Sequence, residues 1–263
     1  MRPILCRIGP LAIPSYAAMV ALALALSWPL TFLLAGQSPA YVTAAGIVGG
    51  HVGGIFGGRF LFEAVNPREG GRRFLTFDGG MMAVGGYLGG TLGAVALVRA
   101  VGGELGPFLG AAAPSMALGL ALGRVGCVLK GCDFGRPLSS VSRLPGMRFP
   151  SWRHRYPELS IAGSPAYLEH LRLGLVTSSA THSARCHPVQ VYWIAAALAI
   201  FAWLLLGPSS SRFAQFMLAY GGFSLLLEPL RGDRDRGEWA RLSTTQWLAI
   251  PIVVTSGSVL LCG

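Results

Sequence analysis

The stretch LGLALGRVGCVLKGCDFGRP, at positions 118–137, carries an apolar helix directly into charged residues. After the apolar opening, Arg124, Lys130 and Asp133 follow within a few residues, together with two cysteines. Ionisable groups at the boundary of a membrane are costly unless they are paired or wetted, so they usually mark a functional cavity. We therefore predict that the chemistry of this chain lies at the end of this helix.

The composition is that of a membrane protein. Of 263 residues, 52% are hydrophobic and 12% are charged, and 37 are glycines, which suit close-packed membrane helices. The net charge of +10 comes from basic residues in loops between apolar segments, which favours anionic lipid headgroups as partners. Because no nucleic-acid-binding motif accompanies that charge, we expect no nucleic-acid partner.

The cysteines indicate neither disulfides nor zinc. Five cysteines are too few and too scattered for a disulfide scaffold, and they lack the paired C-x-x-C spacing of a zinc site. We predict no metal and no cofactor.

Seven apolar segments are long enough to cross a membrane as helices, for which about 20 residues are needed. They lie at about 11–35, 42–64, 79–99, 107–130, 187–206, 212–231 and 245–261. The first is too long for the apolar core of a secretory signal. We predict an all-α polytopic membrane protein with about seven transmembrane helices, forming one integral membrane domain over 1–263. Buried helices of a soluble protein are the alternative.

The longest connection, about 131–186, is polar and rich in arginine, proline and aromatic residues. A loop of this length is usually functional or a small extramembrane cap, and a short helix near 165–173 fits within it. With seven spans, this loop lies on the same side as the N-terminus and the 65–78 and 232–244 loops. Most arginines lie on that side, so the positive-inside rule places it in the cytoplasm.

The second and third segments carry glycines at intervals of four residues, in pairs that begin at positions 49, 53 and 57 and again at 85 and 89. This spacing aligns them along one helix face, where two backbones can approach closely. We interpret the face as a helix-packing surface. Room for an acyl chain is the alternative.

Four polar sets converge on the arginine-rich side by this topology. They are FDGGM at 77–81, the charged residues of 124–136, CHPVQVYW at 186–193, and 220–233, which includes Glu228. Taken singly, a glutamate at a helix end or a lone histidine is most often structural. Four sets on one side favour a polar cavity.

The motifs in these sets resemble, in order and spacing, those of the prolipoprotein diacylglyceryl transferases. They are Asp-Gly-Gly-Met from 78 with Gly-Gly from 85, Gly-Arg-x-Gly from 123, Phe-Gly-Arg-Pro from 134, His-Pro-x-Gln from 187, Tyr-Gly-x-Phe from 220, Glu-x-x-Arg-x-Asp from 228, and Gln246 before Ile250-Pro251. The resemblance covers nearly the whole chain except the long loop. It implies a multi-pass enzyme of the bacterial inner membrane. Such an enzyme moves a diacylglyceryl group from phosphatidylglycerol to a prolipoprotein cysteine and releases glycerol phosphate.

The resemblance also implies roles for individual residues. Arg124 matches the family's essential arginine, a fixed cation that can bind a phosphate through two hydrogen bonds. Glu228 matches a glutamate that serves as a proton acceptor or an arginine partner. The catalytic candidates are Arg124, Glu228, Asp78 and His187. The substrate-binding candidates are Tyr16, Gly85, Gly86, Lys130, Gly135, Gln190 and Arg231.

Three positions depart from the family. Val84 stands where the family has a histidine, Cys127 where it has an asparagine, and Ser224 where it has an arginine. Histidine is the natural general base near neutral pH, and valine cannot replace it. If the family's reaction runs here, one of the three catalytic candidates other than Arg124 takes the thiol proton, or a basic cavity lowers the pKa of the substrate thiol without a base.

These departures leave alternatives open. Cys127 and Cys132 are either inert packing residues or thiols with a covalent or redox role, brought together by a bend at Gly131. Besides the family's own reaction, two functions remain open: that of a divergent relative with altered lipid-transfer or thiol chemistry, and that of a non-catalytic lipid-binding membrane protein. The resemblance implies that the catalytic side faces the periplasm, whereas the positive-inside rule places the same arginine-rich side in the cytoplasm. We follow the resemblance and predict a periplasmic catalytic side.

Overall fold

The computed structural model describes residues 1–9, 11–66, 80–139, 141–152, 163–208, 211–233 and 237–262. Asp78, one of the catalytic candidates, lies outside these residues. The helices are α1 (Ser15–Leu34), α2 (Ala40–Val65), α3 (Ala83–Ala100), α4 (Leu105–Lys130), α5 (Pro165–Arg172), α6 (Val189–Leu206), α7 (Arg212–Leu227) and α8 (Thr244–Cys262). The strands are β1 (Ile4–Ile8), β2 (Leu11–Pro14), β3 (Glu238–Trp239) and β4 (Leu242–Ser243).

Six of the helices, α1 to α4, α6 and α8, are long and apolar enough to cross a membrane. They confirm the prediction of an all-α polytopic membrane protein, and each lies on one of the predicted apolar segments. The remaining predicted segment, 212–231, forms α7 with 16 residues and a 3-10 turn at Glu228–Leu230. A helix of 16 residues is shorter than the roughly 20 residues that span a bilayer.

The spanning helices contain features that a soluble helix would rarely tolerate. Pro29, Pro114 and Pro251 lie inside α1, α4 and α8, where neighbouring helices and local adjustments satisfy the freed backbone groups in a membrane. Along the apolar part of α1 only 6% of the residues are buried by protein. Because these exposed residues are apolar, hydrocarbon is the solvent that suits them.

The chain divides into two compact units, each assembled from separate segments. The first unit comprises Met1–Ala23, Gly119–Leu198 and Pro229–Asp233. The second comprises Leu24–Leu118, Ala199–Glu228 and Arg234–Gly263.

In the first unit, the residues after α4 fold back over a small apolar cluster. Phe134, Phe149, Ala166 and Cys186 form this cluster, and isolated β-bridges join Cys186 to both Pro137 and Met147. The expected short helix is present as α5, which begins after Ser164 at the proline favoured in a first helical turn. This packing holds in place the chain that leaves α4.

In the second unit, α2 and α3 pack backbone to backbone through their glycines. A Cβ atom at Gly57 would lie 2.5 Å from the carbonyl oxygen of Gly85 and 2.8 Å from the Cα of Gly89. A Cβ at Gly53 would collide with the carbonyl oxygen of Gly89. The glycine face is therefore filled by the neighbouring helix, which confirms the packing interpretation and leaves no room for an acyl chain between α2 and α3.

Candidate functional site

The chain turns sharply where α4 ends. Gly131 has a φ of +79°, and its amide donates a hydrogen bond of 2.7 Å to the carbonyl oxygen of Cys127. The next amide, that of Cys132, donates to the same oxygen at 3.2 Å. Asp133 also has a positive φ, 56°, a left-handed conformation that aspartate tolerates better than most residues. Two left-handed residues thus bring the Asp133 side chain back to the last turns of α4.

The Asp133 carboxylate bridges two arginines. Nη1 of Arg124 donates to Oδ2 of Asp133, and Nη2 of Arg231 donates to Oδ1 at 2.5 Å. Arg231 also makes a bidentate pair with Asp233, through Nε at 3.0 Å and Nη2 at 2.6 Å. We call Arg124, Asp133, Arg231 and Asp233 the ionic cluster. Its formal charges sum to zero.

The cluster is buried at its arginine end and open at Asp133. The side chain of Arg124 is 8% exposed and that of Arg231 is 2% exposed, whereas that of Asp133 is 26% exposed. Burial alone would raise the pKa of Asp133, but the guanidinium groups of Arg231 and Arg124 outweigh it and lower the pKa to about 2. Asp133 is therefore ionised throughout the physiological pH range.

Aromatic rings flank the cationic side chains at this end of α4. The guanidinium carbon of Arg124 lies 5.2 Å from the centroid of the buried Trp193 ring on α6. The ammonium group of Lys130 lies 5.4 Å from the ring of Tyr16, in the first turn of α1. Cation–π contacts of this kind hold a charge in place without neutralising it. Tyr16 and Lys130, both substrate-binding candidates, thus lie together.

Three further candidates surround the turn. Nε2 of the buried Gln190 donates to the carbonyl oxygen of Cys132 at 2.8 Å. Gly135 forms an isolated β-bridge with Arg231, and a Cβ at Gly135 would lie 2.6 Å from the Cβ of His187. Among the described residues, the buried Nδ1 of His187 has no hydrogen-bond partner. Gly135 is therefore a close-approach position, and His187 lies directly against it.

The cysteines of this unit fall into two environments. The thiol of Cys127 donates to Oδ2 of Asp133 at 3.2 Å, and Cys132 lies beside Cys127 after the turn at Gly131. Cys186 instead belongs to the apolar cluster, where burial raises the pKa of its thiol to about 12. Cys186 is an inert packing residue, whereas Cys127 is a hydrogen-bond partner of the ionic cluster.

A family model matches nearly the full chain, in agreement with the sequence motifs. The model of the family described as prolipoprotein diacylglyceryl transferase matches residues 3–262. The chain belongs to that family. Curated proteins named phosphatidylglycerol--prolipoprotein diacylglyceryl transferase are similar to it over most of their length. One from Clostridium tetani is 25% identical (97% of this chain, 94% of the relative). One from Neisseria gonorrhoeae is 28% identical (96% and 92%), and one from Bordetella parapertussis is 29% identical (98% and 94%).

The remaining candidates of this family member belong to the second unit. A Cβ at Gly85 would lie 2.6 Å from the carbonyl oxygen of Gly57, so Gly85 takes part in the α2–α3 packing. A Cβ at Gly86 would meet only an ordinary contact at 3.5 Å. Glu228 is buried at the 3-10 turn after α7, and Val84, at the position where the resemblance predicts a histidine, is 1% exposed.

Asp133, Asp233 and Trp193 lie in or beside the ionic cluster of this family member, but none of them was predicted from the sequence as a site residue. The signal for Asp233 was present in the Arg-x-Asp spacing at 231–233, which allows a bidentate pair between near neighbours. Asp133 carried no such local signal, because one of its partners is 98 residues away. Within the described residues, no three His, Cys, Asp or Glu side chains gather as they would around a metal ion.

Proposed function

We propose that this protein transfers the diacylglyceryl group of phosphatidylglycerol to the cysteine thiol of a prolipoprotein at the bacterial inner membrane. Three observations support the proposal: family membership over residues 3–262, the names of its relatives, and six helices able to span a membrane. The observation that carries it at the level of chemistry is the pair of buried arginines in the ionic cluster.

The reaction needs a stabilised phosphate leaving group. The thiol sulfur attacks the glyceryl carbon that bears the phosphate oxygen, forming a C–S bond. The C–O bond breaks, and its electron pair leaves with glycerol phosphate. The phosphate thereby gains negative charge during the step. Cations that are already in place stabilise such a charge most effectively, because they need no reorganisation as the charge develops.

Arg124 and Arg231 meet this requirement. Both side chains are nearly fully buried, and both direct guanidinium N–H groups at one carboxylate, that of Asp133. Trp193 packs against the guanidinium of Arg124, and Asp233 orients that of Arg231. Planar guanidinium groups match the spacing of phosphate oxygens, which ammonium groups do not. We assign these two arginines to the phosphate.

We assign the thiol proton to His187. It lies against Gly135, which is bridged to Arg231, and the described residues offer no hydrogen-bond partner to its buried Nδ1. Glu228 and Asp78 are the alternatives. Replacing His187 by Gln should lower kcat at least tenfold while the KM for phosphatidylglycerol stays within about twofold. If the His187→Gln variant has a normal kcat, the role of proton acceptor moves to the carboxylate of Glu228 or Asp78.

A second candidate is altered thiol chemistry on the same scaffold. It is favoured by Val84, which is buried where the family has a histidine, and by the thiol of Cys127, which contacts the ionic cluster. For this candidate function, the Cys127 thiol would be a reacting group and not only a hydrogen-bond donor to Asp133.

Complementation separates the two candidates. A bacterial strain depleted of its own diacylglyceryl transferase would express the full chain, with membrane insertion confirmed by blotting. Growth, together with transfer of labelled diacylglyceryl from phosphatidylglycerol to a lipoprotein-derived peptide by the purified protein, is the expected result. Correct insertion without growth or transfer would contradict the proposal and favour the altered chemistry.

A further inference from the structure

The carboxylate of Asp133 lies at the point where two guanidinium groups converge. One oxygen accepts from Arg124 and the other accepts from Arg231. A phosphate between these side chains would adopt the same arrangement, with two of its oxygens each bound by a different arginine. Asp133 therefore occupies the position that the substrate phosphate requires.

We propose that Asp133 is an exchangeable counter-ion: a phosphodiester group replaces its carboxylate between Arg124 and Arg231, and Asp133 turns outward. This inference rests on the proposed function for the class of ligand. The new element is that the Asp133 carboxylate occupies the site until a phosphodiester enters. Asp133 therefore sets the affinity of the site for the phosphodiester.

The exposure of the cluster supports exchange at Asp133 rather than at Asp233. The Asp133 side chain is 26% exposed, whereas that of Asp233 is 9% exposed and makes a bidentate pair with Arg231. Asp133 also lies in a turn beyond the end of α4, directly after Gly131 and Cys132. Its side chain can leave the two arginines without moving the helix that carries Arg124.

Charge supports the exchange as well. With Asp133 in place, the charges of the two arginines and two aspartates of the ionic cluster cancel one another, so an added phosphodiester would give these four residues and the ligand together a net negative charge. With Asp133 turned outward, the remaining three residues carry one positive charge, which a phosphodiester neutralises. Because the arginines keep the pKa of Asp133 at about 2, one anion replaces another and no proton is taken up.

Removing the competing charge should therefore strengthen phosphodiester binding. The probe is glycerophosphoglycerol, which is phosphatidylglycerol without its acyl chains and carries one negative charge. Its affinity for the purified full-length protein in detergent micelles is measured by calorimetry. We expect Asp133→Asn to bind the probe about tenfold more tightly than the wild type. The same variant should have a lower Tm without the probe, because two buried guanidinium groups lose a counter-ion, and should regain much of it with the probe.

Glu169→Gln is the matched control. Glu169 is also a carboxylate paired with an arginine of the first unit, but its partner Arg172 is 57% exposed. This variant should bind the probe within twofold of the wild type. Neutral glycerol should not bind to any of the three proteins with comparable affinity.

Weaker or unchanged binding in Asp133→Asn would overturn the proposal, since Asp133 would then be a fixed support for the arginines. Absence of probe binding in every protein would overturn it too. If the variant does not fold, hydrogen exchange of the wild type decides. The probe should increase amide exchange in 131–136, and protection of that turn would contradict the exchange.

The measurement is independent of the transfer reaction, because the probe has no diacylglyceryl group to transfer and no prolipoprotein substrate is present. A protein that transfers nothing, yet shows tighter binding in Asp133→Asn, would refute the proposed function alone. A competent transferase whose Asp133→Asn variant binds the probe no better would refute the exchange alone.

Discussion

Two regions of this protein are closely packed for opposite reasons. The α2–α3 interface joins two helices through glycines, with main-chain oxygens facing Cα atoms. The ionic cluster joins residues from distant parts of the chain through four charged side chains. At Gly53 and Gly57 the first region has no space for an additional atom, whereas the second region has a carboxylate that we propose an anionic ligand can replace. The rigid region is thus built from backbone contacts, and the region that can exchange a ligand is built from charged side chains.

The largest effect should come from adding one carbon atom to the glycine interface. In Gly53→Ala, the new Cβ would collide with the carbonyl oxygen of Gly89 and lie 3.1 Å from the Cα of Gly93, and backbone atoms cannot move aside as a side chain would. We expect a loss of about 3 kcal/mol or more in the free energy of unfolding. Thermal unfolding in detergent, followed by circular dichroism, measures it.

Gly50→Ala is the control, three residues away on the same helix. Its Cβ would have only ordinary contacts, at 3.9 Å and 4.0 Å. This variant should unfold at nearly the wild-type temperature. Equal destabilisation by the two substitutions would contradict the claim that particular backbone approaches define the interface.

The next largest effect should come from Arg124→Lys. Lysine keeps the positive charge but loses the planar guanidinium, so we expect the transfer rate to fall about 100-fold. The assay is transfer of labelled diacylglyceryl from phosphatidylglycerol to a lipoprotein-derived peptide. Arg172→Lys, at an exposed arginine of the same unit, should stay within twofold. A fully active Arg124→Lys protein would show that charge alone suffices at this site.

A moderate effect should appear in the pH dependence of stability. Because the folded pKa of Asp133 is lowered from 3.8 to about 2, its ionised form stabilises the protein above the unfolded pKa, and this stability is lost as the pH falls through the folded value. The Tm difference between wild type and Asp133→Asn should therefore be constant from about pH 5 to about pH 8 and shrink below about pH 4. A difference that changes near neutral pH would show that another group titrates with the cluster.

The smallest effect should come from Cys127, at the edge of the ionic cluster. A serine hydroxyl can donate to Asp133 as the thiol does, whereas alanine cannot. We expect transfer rates within about twofold of wild type for Cys127→Ser and about fivefold lower for Cys127→Ala, which corresponds to roughly one hydrogen bond. If serine is as harmful as alanine, the thiol itself reacts, and the altered chemistry gains support.

Much of the fold was predictable because its signals are local. Apolar runs of about 20 residues identified the spanning helices. Glycines spaced by four identified the α2–α3 face, since that spacing places them on one side of a helix. The sequence also allowed a bend at Gly131 as one way to bring Cys127 and Cys132 together, and Gly131 does have a positive φ, which glycine adopts readily. The length of α7 was not predicted, because the predicted segment was extended to 231 although Glu228 and Pro229 end the apolar run, and a proline disfavours helical geometry in the residue before it.

The candidate site was only partly predictable. Arg124 and Arg231 were identified through motifs that resemble a known family, and both belong to the ionic cluster. The same motifs predicted that Val84 stands where the family has a histidine, and the structure adds that the Val84 side chain is buried. Asp133 was recognised as a charged residue at a membrane boundary, but its two partners were not.

The amino-acid sequence by itself determined that this chain crosses a membrane, which helices pack through glycine, and where a fixed cation lies, because hydropathy, spacing and residue type act over a few turns. Only the tertiary structure decided that Asp133 bridges Arg124 and Arg231. One of those partners is 9 residues away and the other 98. A charge selects its partner by distance in space and by burial, and no spacing along the chain specifies either.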